Sequence, residues 1–144
     1  MRTFFSRPAK TSGFTLIELL IAMAILAVLS AIAVPIYTSY SESTYRGEAM
    51  SDLLLCAQGL ERFASENFTY VGGDDGSGGV GVNICRPLSG DRYLLTVVTT
   101  RDTFTLTATP RTGVMDGDGP LEFSSNGQRR WNRNNAGWIE SWDT

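Results

Sequence analysis

The spacing of apolar and polar residues changes twice along the chain. Residues 14–34 (FTLIELLIAMAILAVLSAIAV) form a nearly unbroken apolar run with Glu18 as its single charge. About 20 apolar residues span the core of a bilayer as a helix, so this run predicts a transmembrane helix. Basic residues precede the run, which favours a cytoplasmic N-terminus. An ordinary secretory signal fits poorly, because no small-residue cleavage site follows the run.

After the apolar run, apolar residues recur at helical spacing. They are Ala49, Leu53, Cys56, Leu60 and Phe63, and polar residues lie between them. This pattern predicts an amphipathic helix with one stripe on a core. We expect one helix from Phe14 to about Glu66, kinked or loosened at Pro35 and softened by Gly47 and Gly59. A transmembrane helix followed by a separate soluble helix is the alternative.

The C-terminal half of the sequence has the period of a β-sheet. Residues 93–100 and 103–109 predict two strands joined by a turn, and Phe104, Leu106 and Ala108 share one face of the second. Leu121 and Phe123 begin a third strand, and Asn126-Gly127 predicts a tight hairpin into residues 128–131. The predicted fold class is therefore α+β, with a long helix packed on a small antiparallel sheet.

Glu18 is an unusual residue for an apolar segment, because a carboxylate in lipid is costly and often functional. One explanation is that Glu18 lies near the membrane edge and its carboxylate reaches water. The other explanation is that Glu18 has a partner within protein.

The segment GFTLIEL at residues 13–19 resembles the processing motif of type IV prepilins, with a short basic leader before it and a long apolar helix after it. The resemblance implies that a prepilin peptidase cuts after Gly13 and methylates the new amine of Phe14. It also implies a partner for Glu18, namely the N-terminal amine of a neighbouring subunit in the assembled fibre.

The resemblance extends to the fold, since the predicted helix and sheet are similar to the type IV pilin fold. The stretch FTLTATP at residues 104–110 resembles the sheet segment of PilE-type minor pilins. The implied organisation is a leader at residues 1–13, a transmembrane and assembly half-helix at 14–35, and a globular pilin domain at 36–144. Such pilins usually close a terminal loop with a disulfide. Here Asp118 and Ser141 stand at those positions, so the receptor-binding role of that loop is not carried over.

The function implied by the resemblance is that of a structural subunit, a minor pilin, of a type IV pilus serving motility, adhesion or DNA uptake. Its implied partners are major and minor pilin subunits, the prepilin peptidase and an inner-membrane assembly platform. The protein would lie in the inner membrane with its C-terminal domain in the periplasm, and then in the extracellular fibre. A pseudopilin of a type II secretion system is the alternative.

A membrane-anchored enzyme is a remote alternative. The chain has no histidine, which removes the commonest general base and the commonest metal ligand. No recognisable pair of nucleophile and base is present. We therefore expect no catalytic residue, no cofactor and no metal. Asp74 and Asp75 are interpreted as turn residues and not as metal ligands. The same interpretation applies to the Asp116–Gly119 stretch, near which Glu122 adds a third carboxylate.

The two cysteines predict a disulfide. Cys56 shares the apolar stripe of the helix, and Cys85 follows a glycine-rich loop that can fold back onto that stripe. Both lie outside the cytoplasm in the expected topology, where disulfides persist. A bridge would close a loop of roughly 30 residues and stabilise the fold by about 3.5 kcal/mol. Free buried thiols are the alternative.

Residues 129–135 (RRWNRNN) are a candidate DNA-binding segment, because basic and stacking side chains alternate there. The alternative is a solvated hairpin with Trp131 folded onto the sheet. Removing the leader takes away three of the 12 basic residues and leaves nine against 15 acidic ones, a net charge of -6. This acidic balance argues against DNA binding by bulk charge.

Overall fold

The computed structural model describes residues 13–111, 113 and 115–143, so the rest of the predicted leader, residues 1–12, lies outside the described residues. The structure has one long helix, α1 (Leu16–Asn67), and four strands, β1 (Tyr93–Thr99), β2 (Phe104–Pro110), β3 (Leu121–Ser124) and β4 (Arg129–Trp131). A short 3-10 turn follows at Arg133–Asn135. The predicted α+β class is therefore confirmed. The chain divides into two compact units between Tyr37 and Thr38.

The first unit contains the apolar part of α1. Its described side chains are all exposed, including the apolar ones. Among the residues that the structure describes, α1 is the one helix that is long and apolar enough to cross a membrane. The helix continues through Pro35, so the proline does not end it.

The second unit is organised around the amphipathic part of α1. Of the predicted stripe, Ala49, Leu53, Cys56 and Leu60 are buried and Phe63 is half-buried. The stripe belongs to one core cluster with the inner faces of the strands. The sheet order is β1-β2-β3-β4, with every neighbouring pair antiparallel.

Alternation decides which face of the sheet is buried. In β1 and β2 every second side chain points into the core, and these are Tyr93, Leu95, Val97, Phe104, Leu106 and Ala108. The two strands pair from Tyr93 opposite Pro110 to Thr99 opposite Phe104. The predicted hairpin at Asn126 is also present, and the Gln128 amide donates to Asn126 Oδ1 over 2.9 Å.

A seam of three residues on α1 fixes the segment at residues 84–89 against the helix. The Ser89 amide and hydroxyl donate to the buried carboxylate of Asp52 over 2.7 and 2.6 Å. The predicted disulfide joins Cys56 to Cys85, with their Cα atoms 5.1 Å apart. A Cβ atom built on Gly59 would lie 2.3 Å from the Ile84 carbonyl oxygen. Because Asp52, Cys56 and Gly59 are spaced by four and three residues, they share one face of α1.

The close approach at Gly59 predicts opposite effects for the same substitution at two helical glycines. Gly59→Ala should lower the melting temperature, because the overpacking costs about 1–3 kcal/mol and the gain in helix propensity offsets only about 1 kcal/mol of it. Gly47→Ala should raise the melting temperature, because a Cβ atom there meets nothing within 4 Å. Thermal unfolding of the chain in detergent, followed by circular dichroism, measures both. Equal increases in melting temperature for both variants would contradict the close packing of Ile84 on Gly59.

Candidate functional site

Glu18 lies in the first turn of α1, where it forms a reciprocal set of hydrogen bonds with Thr15. The Thr15 amide and hydroxyl donate to Glu18 Oε2 over 2.9 and 2.8 Å, and the Glu18 amide donates to Thr15 Oγ1 over 3.3 Å. This arrangement is a capping box, which satisfies amides that the start of a helix leaves without partners. Glu18 therefore has a partner within its own chain. Its docking role in a neighbouring subunit stays a prediction.

The predicted processing site precedes the helix. Gly13 and Phe14 lie in non-helical backbone, and both are exposed. Cleavage between them and methylation of Phe14 stay predictions. Glu18 is four residues after Phe14, so the described N-terminal segment brings the three predicted site residues into one short stretch of chain.

Asp118 is the centre of a buried polar network, which we call the Asp118 network. The Arg46 guanidinium on α1 forms a two-pronged ion pair with its carboxylate. The Tyr93 hydroxyl on β1 donates to Asp118 Oδ2 over 2.7 Å, and Trp131 Nε1 on β4 donates to the Asp118 carbonyl over 3.0 Å. The side chains of Arg46 and Asp118 are only 11% and 7% exposed. One residue of a loop thus contacts the helix and both edges of the sheet.

The network keeps its donors protonated. Burial alone would lower the pKa of Arg46, but the hydrogen bonds and charge of Asp118 raise it above its ordinary value. Burial also raises the pKa of Tyr93 well above its ordinary value, and the hydrogen bond to Asp118 raises it further. At neutral pH Arg46 is therefore a cation and Tyr93 a neutral phenol, and both donate hydrogen bonds to Asp118. The buried guanidinium of Arg46 thus has a hydrogen-bonding partner, which offsets the cost of removing its charge from water.

Three arginines and one tryptophan form the surface at the end of the chain, which we call the arginine surface (Arg129, Arg130, Arg133 and Trp138). Arg129 and Arg133 are exposed, and their guanidinium carbons lie 5.2 Å and 5.3 Å from the ring centres of Trp142 and Trp131. Arg130 lies 5.1 Å from the ring centre of Trp138 and pairs with Glu122. Among the described residues the ion pairs are Arg46–Asp118 and Arg130–Glu122, so Arg129 and Arg133 present charge to solvent.

Trp131 does not have the stacking role that the DNA-binding interpretation requires. It is 1% exposed, because alternation in β4 directs the indole into the core, as the hairpin alternative predicts. The exposed tryptophan is Trp138, at 41%. Of the two interpretations of RRWNRNN, the hairpin with Trp131 folded onto the sheet is the one that the structure shows, while the charges of Arg129 and Arg133 remain available.

The acidic turns are closed by their own backbone. The amide of Gly76 donates to Asp74 Oδ1 over 2.9 Å, and the amides of Ser77 and Gly79 donate to Asp75 Oδ1 over 2.8 and 2.9 Å. Within the described ranges, no group of three or more potential ligand residues lies close enough to hold a metal ion. Ser141 is the second residue that stands where PilE-type pilins usually have a cysteine. Its hydroxyl donates to Asp143 over 2.7 Å.

Two features of the site were not predicted from the sequence. The capping box has a sequence signature, Thr15-x-x-Glu18, which could have identified an intrachain partner for the carboxylate. The Asp118 network has no such signature. The residues Arg46 and Asp118 are 72 positions apart, and Asp116 in the same turn offers an identical charge.

Comparison with known families gives two matches. A family model described as the type IV minor pilin ComP, DNA uptake sequence receptor, matches residues 35–119, more than half of the 144-residue chain. A model of the prokaryotic N-terminal methylation motif matches residues 8–34. The first match includes Arg46, Tyr93 and Asp118 and ends before the arginine surface. No solved structure matches the chain.

Proposed function

The chain belongs to the family of the type IV minor pilin ComP, DNA uptake sequence receptor, and we propose that this type IV pilus minor pilin binds DNA during DNA uptake. The family is one of structural pilins, and the minor pilin interacts with other pilin subunits. Its apolar N-terminal helix anchors it in the membrane before it enters the pilus. The matched family favours the pilus over the secretion pseudopilus.

We propose the following maturation. The prepilin peptidase cuts after Gly13 and methylates Phe14, residues 14–35 span the inner membrane with the N-terminus in the cytoplasm, and residues 36–144 lie on the periplasmic side. The assembly platform then moves the subunit into the fibre. The match to the methylation motif at residues 8–34 supports this sequence of steps, because it includes the glycine, the phenylalanine and Glu18.

Glu18 would have two partners in turn. The Thr15 amide and hydroxyl both donate to Oε2, so the same carboxylate can cap its own helix and accept a neighbour's amine on Oε1. In lipid an unpaired carboxylate is costly, and this cost favours a subunit whose Glu18 meets a positive charge. The charge of Glu18 would then drive docking, while its oxygen atoms alone suffice for capping.

The observation that carries the DNA proposal is the pair of exposed arginines on the arginine surface. A guanidinium held against an indole keeps its N–H groups free for phosphate oxygens. Because the predicted mature chain has a net charge of -6, binding must come from a local cationic surface and not from the whole domain. Trp131 is buried, and among the described residues Trp138 is the one exposed indole beside the arginines. Stacking of single strands uses a series of aromatic rings, so backbone contacts to duplex DNA fit this surface better.

The charge of Glu18 and its capping role can be separated by two substitutions. Glu18→Gln keeps an acceptor oxygen for Thr15 but removes the charge, whereas Glu18→Ala removes both. If the charge drives docking, both variants should insert into the membrane and both should be missing from sheared pili. Immunoblots of membrane and pilus fractions measure this. Glu18→Gln in pili at the wild-type level would show that capping, and not an ion pair, is what assembly requires.

The two exposed arginines give a prediction for DNA binding. The double variant Arg129→Ala/Arg133→Ala should weaken binding of the mature chain in detergent to labelled duplex DNA. It should also reduce the slope of log affinity against log salt by about two, because each arginine would neutralise one phosphate. Arg62→Ala is the matched control, since Arg62 is an exposed arginine on α1.

Fluorescence anisotropy over a range of salt concentrations gives both the affinity and the slope. Wild-type protein without salt-dependent binding would contradict the proposed function. If Arg62→Ala weakens DNA binding by half as much, in free energy, as the double variant does, the DNA-binding site is not specifically at Arg129 and Arg133. If the protein binds a single strand of the same length more tightly than the duplex, base stacking and not phosphate contact is the main mode of binding, and the proposed duplex contacts are wrong.

A further inference from the structure

We propose that Asp118 is a positioning residue for the arginine surface: it holds Arg133 in place by tying the loop before β3 and the turn after β4 to α1. The inference rests on the proposed function, since it assigns a structural cause to the affinity of the DNA-binding surface. It concerns a residue that does not itself face the DNA.

Asp118 uses its side chain and its backbone in different directions. The carboxylate binds Arg46 on α1 and Tyr93 on β1. The carbonyl oxygen accepts hydrogen bonds from Trp131 Nε1 over 3.0 Å and from the Asn134 amide over 3.2 Å. These last two donors flank Arg133. Asp118 therefore joins the helix to the chain on both sides of an exposed arginine.

The neighbouring backbone allows little freedom. A Cβ atom built on Gly119 would lie 1.8 Å from the Asn132 carbonyl oxygen, and the Asn132 amide donates to the Pro120 carbonyl over 2.9 Å. The turn after β4 is thus packed directly on the loop that contains Asp118. Movement of this loop away from α1 would move the turn with it.

The negative charge of the Asp118 carboxylate is a second way in which this residue can position Arg133. Arg46 and Arg133 both lie over the ring of Trp131, with guanidinium carbons 4.2 and 5.3 Å from its centre. Two cations on one indole repel each other, and the negative charge of Asp118 on Arg46 offsets this repulsion. Without that charge, Arg133 would move away from Arg46 and leave its ordered position. Ordering a ligand-binding side chain before binding improves affinity.

The test compares two aspartates in the same turn. Asp118→Asn and Asp116→Asn each remove one negative charge, and Asp116 is exposed. Electrostatics alone predicts tighter DNA binding for both variants. The positioning role predicts weaker binding for Asp118→Asn, with a salt slope reduced by about one because Arg133 no longer meets its phosphate. Asp116→Asn should bind DNA at least as tightly as the wild type.

A second variant keeps the net charge constant. Arg46→Lys retains the cation but cannot form the two-pronged pair with Asp118, so it should weaken DNA binding. Arg62→Lys on the exposed side of α1 is its control and should leave binding unchanged. These two variants decide the question if Asp118→Asn does not fold, as judged by circular dichroism.

Hydrogen exchange measures the positioning directly, with or without DNA. In Asp118→Asn and Arg46→Lys, the amides of residues 131–135 should exchange faster, while amides in the buried part of α1 keep wild-type rates. Unchanged exchange at residues 131–135, or DNA affinity of Asp118→Asn equal to that of Asp116→Asn, would overturn the positioning role and leave the proposed function intact. Absence of DNA binding by the wild type would overturn the proposed function, while exchange still decides whether Asp118 orders the turn.

Discussion

A single apolar stripe on the second half of α1 is the constraint on which the second unit depends. Leu53 and Leu60 are fully buried, and burial of a leucine side chain contributes roughly 1.5–3 kcal/mol. A small sheet needs an apolar face or a helix packed on it to be stable, and here the stripe of α1 lies in one core with the inner face of the sheet. The same helix face carries the seam with residues 84–89. The Cys56–Cys85 disulfide, the hydrogen bonds of Asp52 and the close contact at Gly59 therefore all join residues 84–89 to the helix that also covers the sheet.

Most of the fold could be predicted because it follows from local periodicity. Helical spacing identified the buried stripe, alternation identified the inward residues of β2, and Asn126-Gly127 identified the hairpin. The sequence also indicated the arginines at residues 129–133, but the Asp118 network depended on tertiary structure. Nothing local distinguishes Asp118 from Asp116, and which of them meets Arg46 is decided by how the loop before β3 packs. The two interpretations of residues 129–135 also needed the tertiary structure, because the burial of Trp131 in β4 decides for the hairpin over stacking on DNA.

The electrostatics of the chain reconcile an acidic protein with a proposed DNA ligand. All nine basic residues of the predicted mature chain are arginines, and a planar guanidinium can lie on an aromatic ring while it still donates hydrogen bonds. Such contacts place the guanidinium groups of Arg129 and Arg133 against tryptophan rings, while the net charge of the chain stays negative. The affinity of such a small surface for DNA then depends on whether its arginines are held in fixed positions. This is the role that we propose for the buried Asp118 network.

The central claim is that this chain is processed into a subunit of a type IV pilus. Intact mass spectrometry of the protein in sheared pili tests it most directly. We predict a mass that begins at methylated Phe14 and corresponds to the chain with its disulfide between Cys56 and Cys85 formed. A mass that retains the leader, a start at another residue, or the absence of the chain from purified pili would contradict this claim.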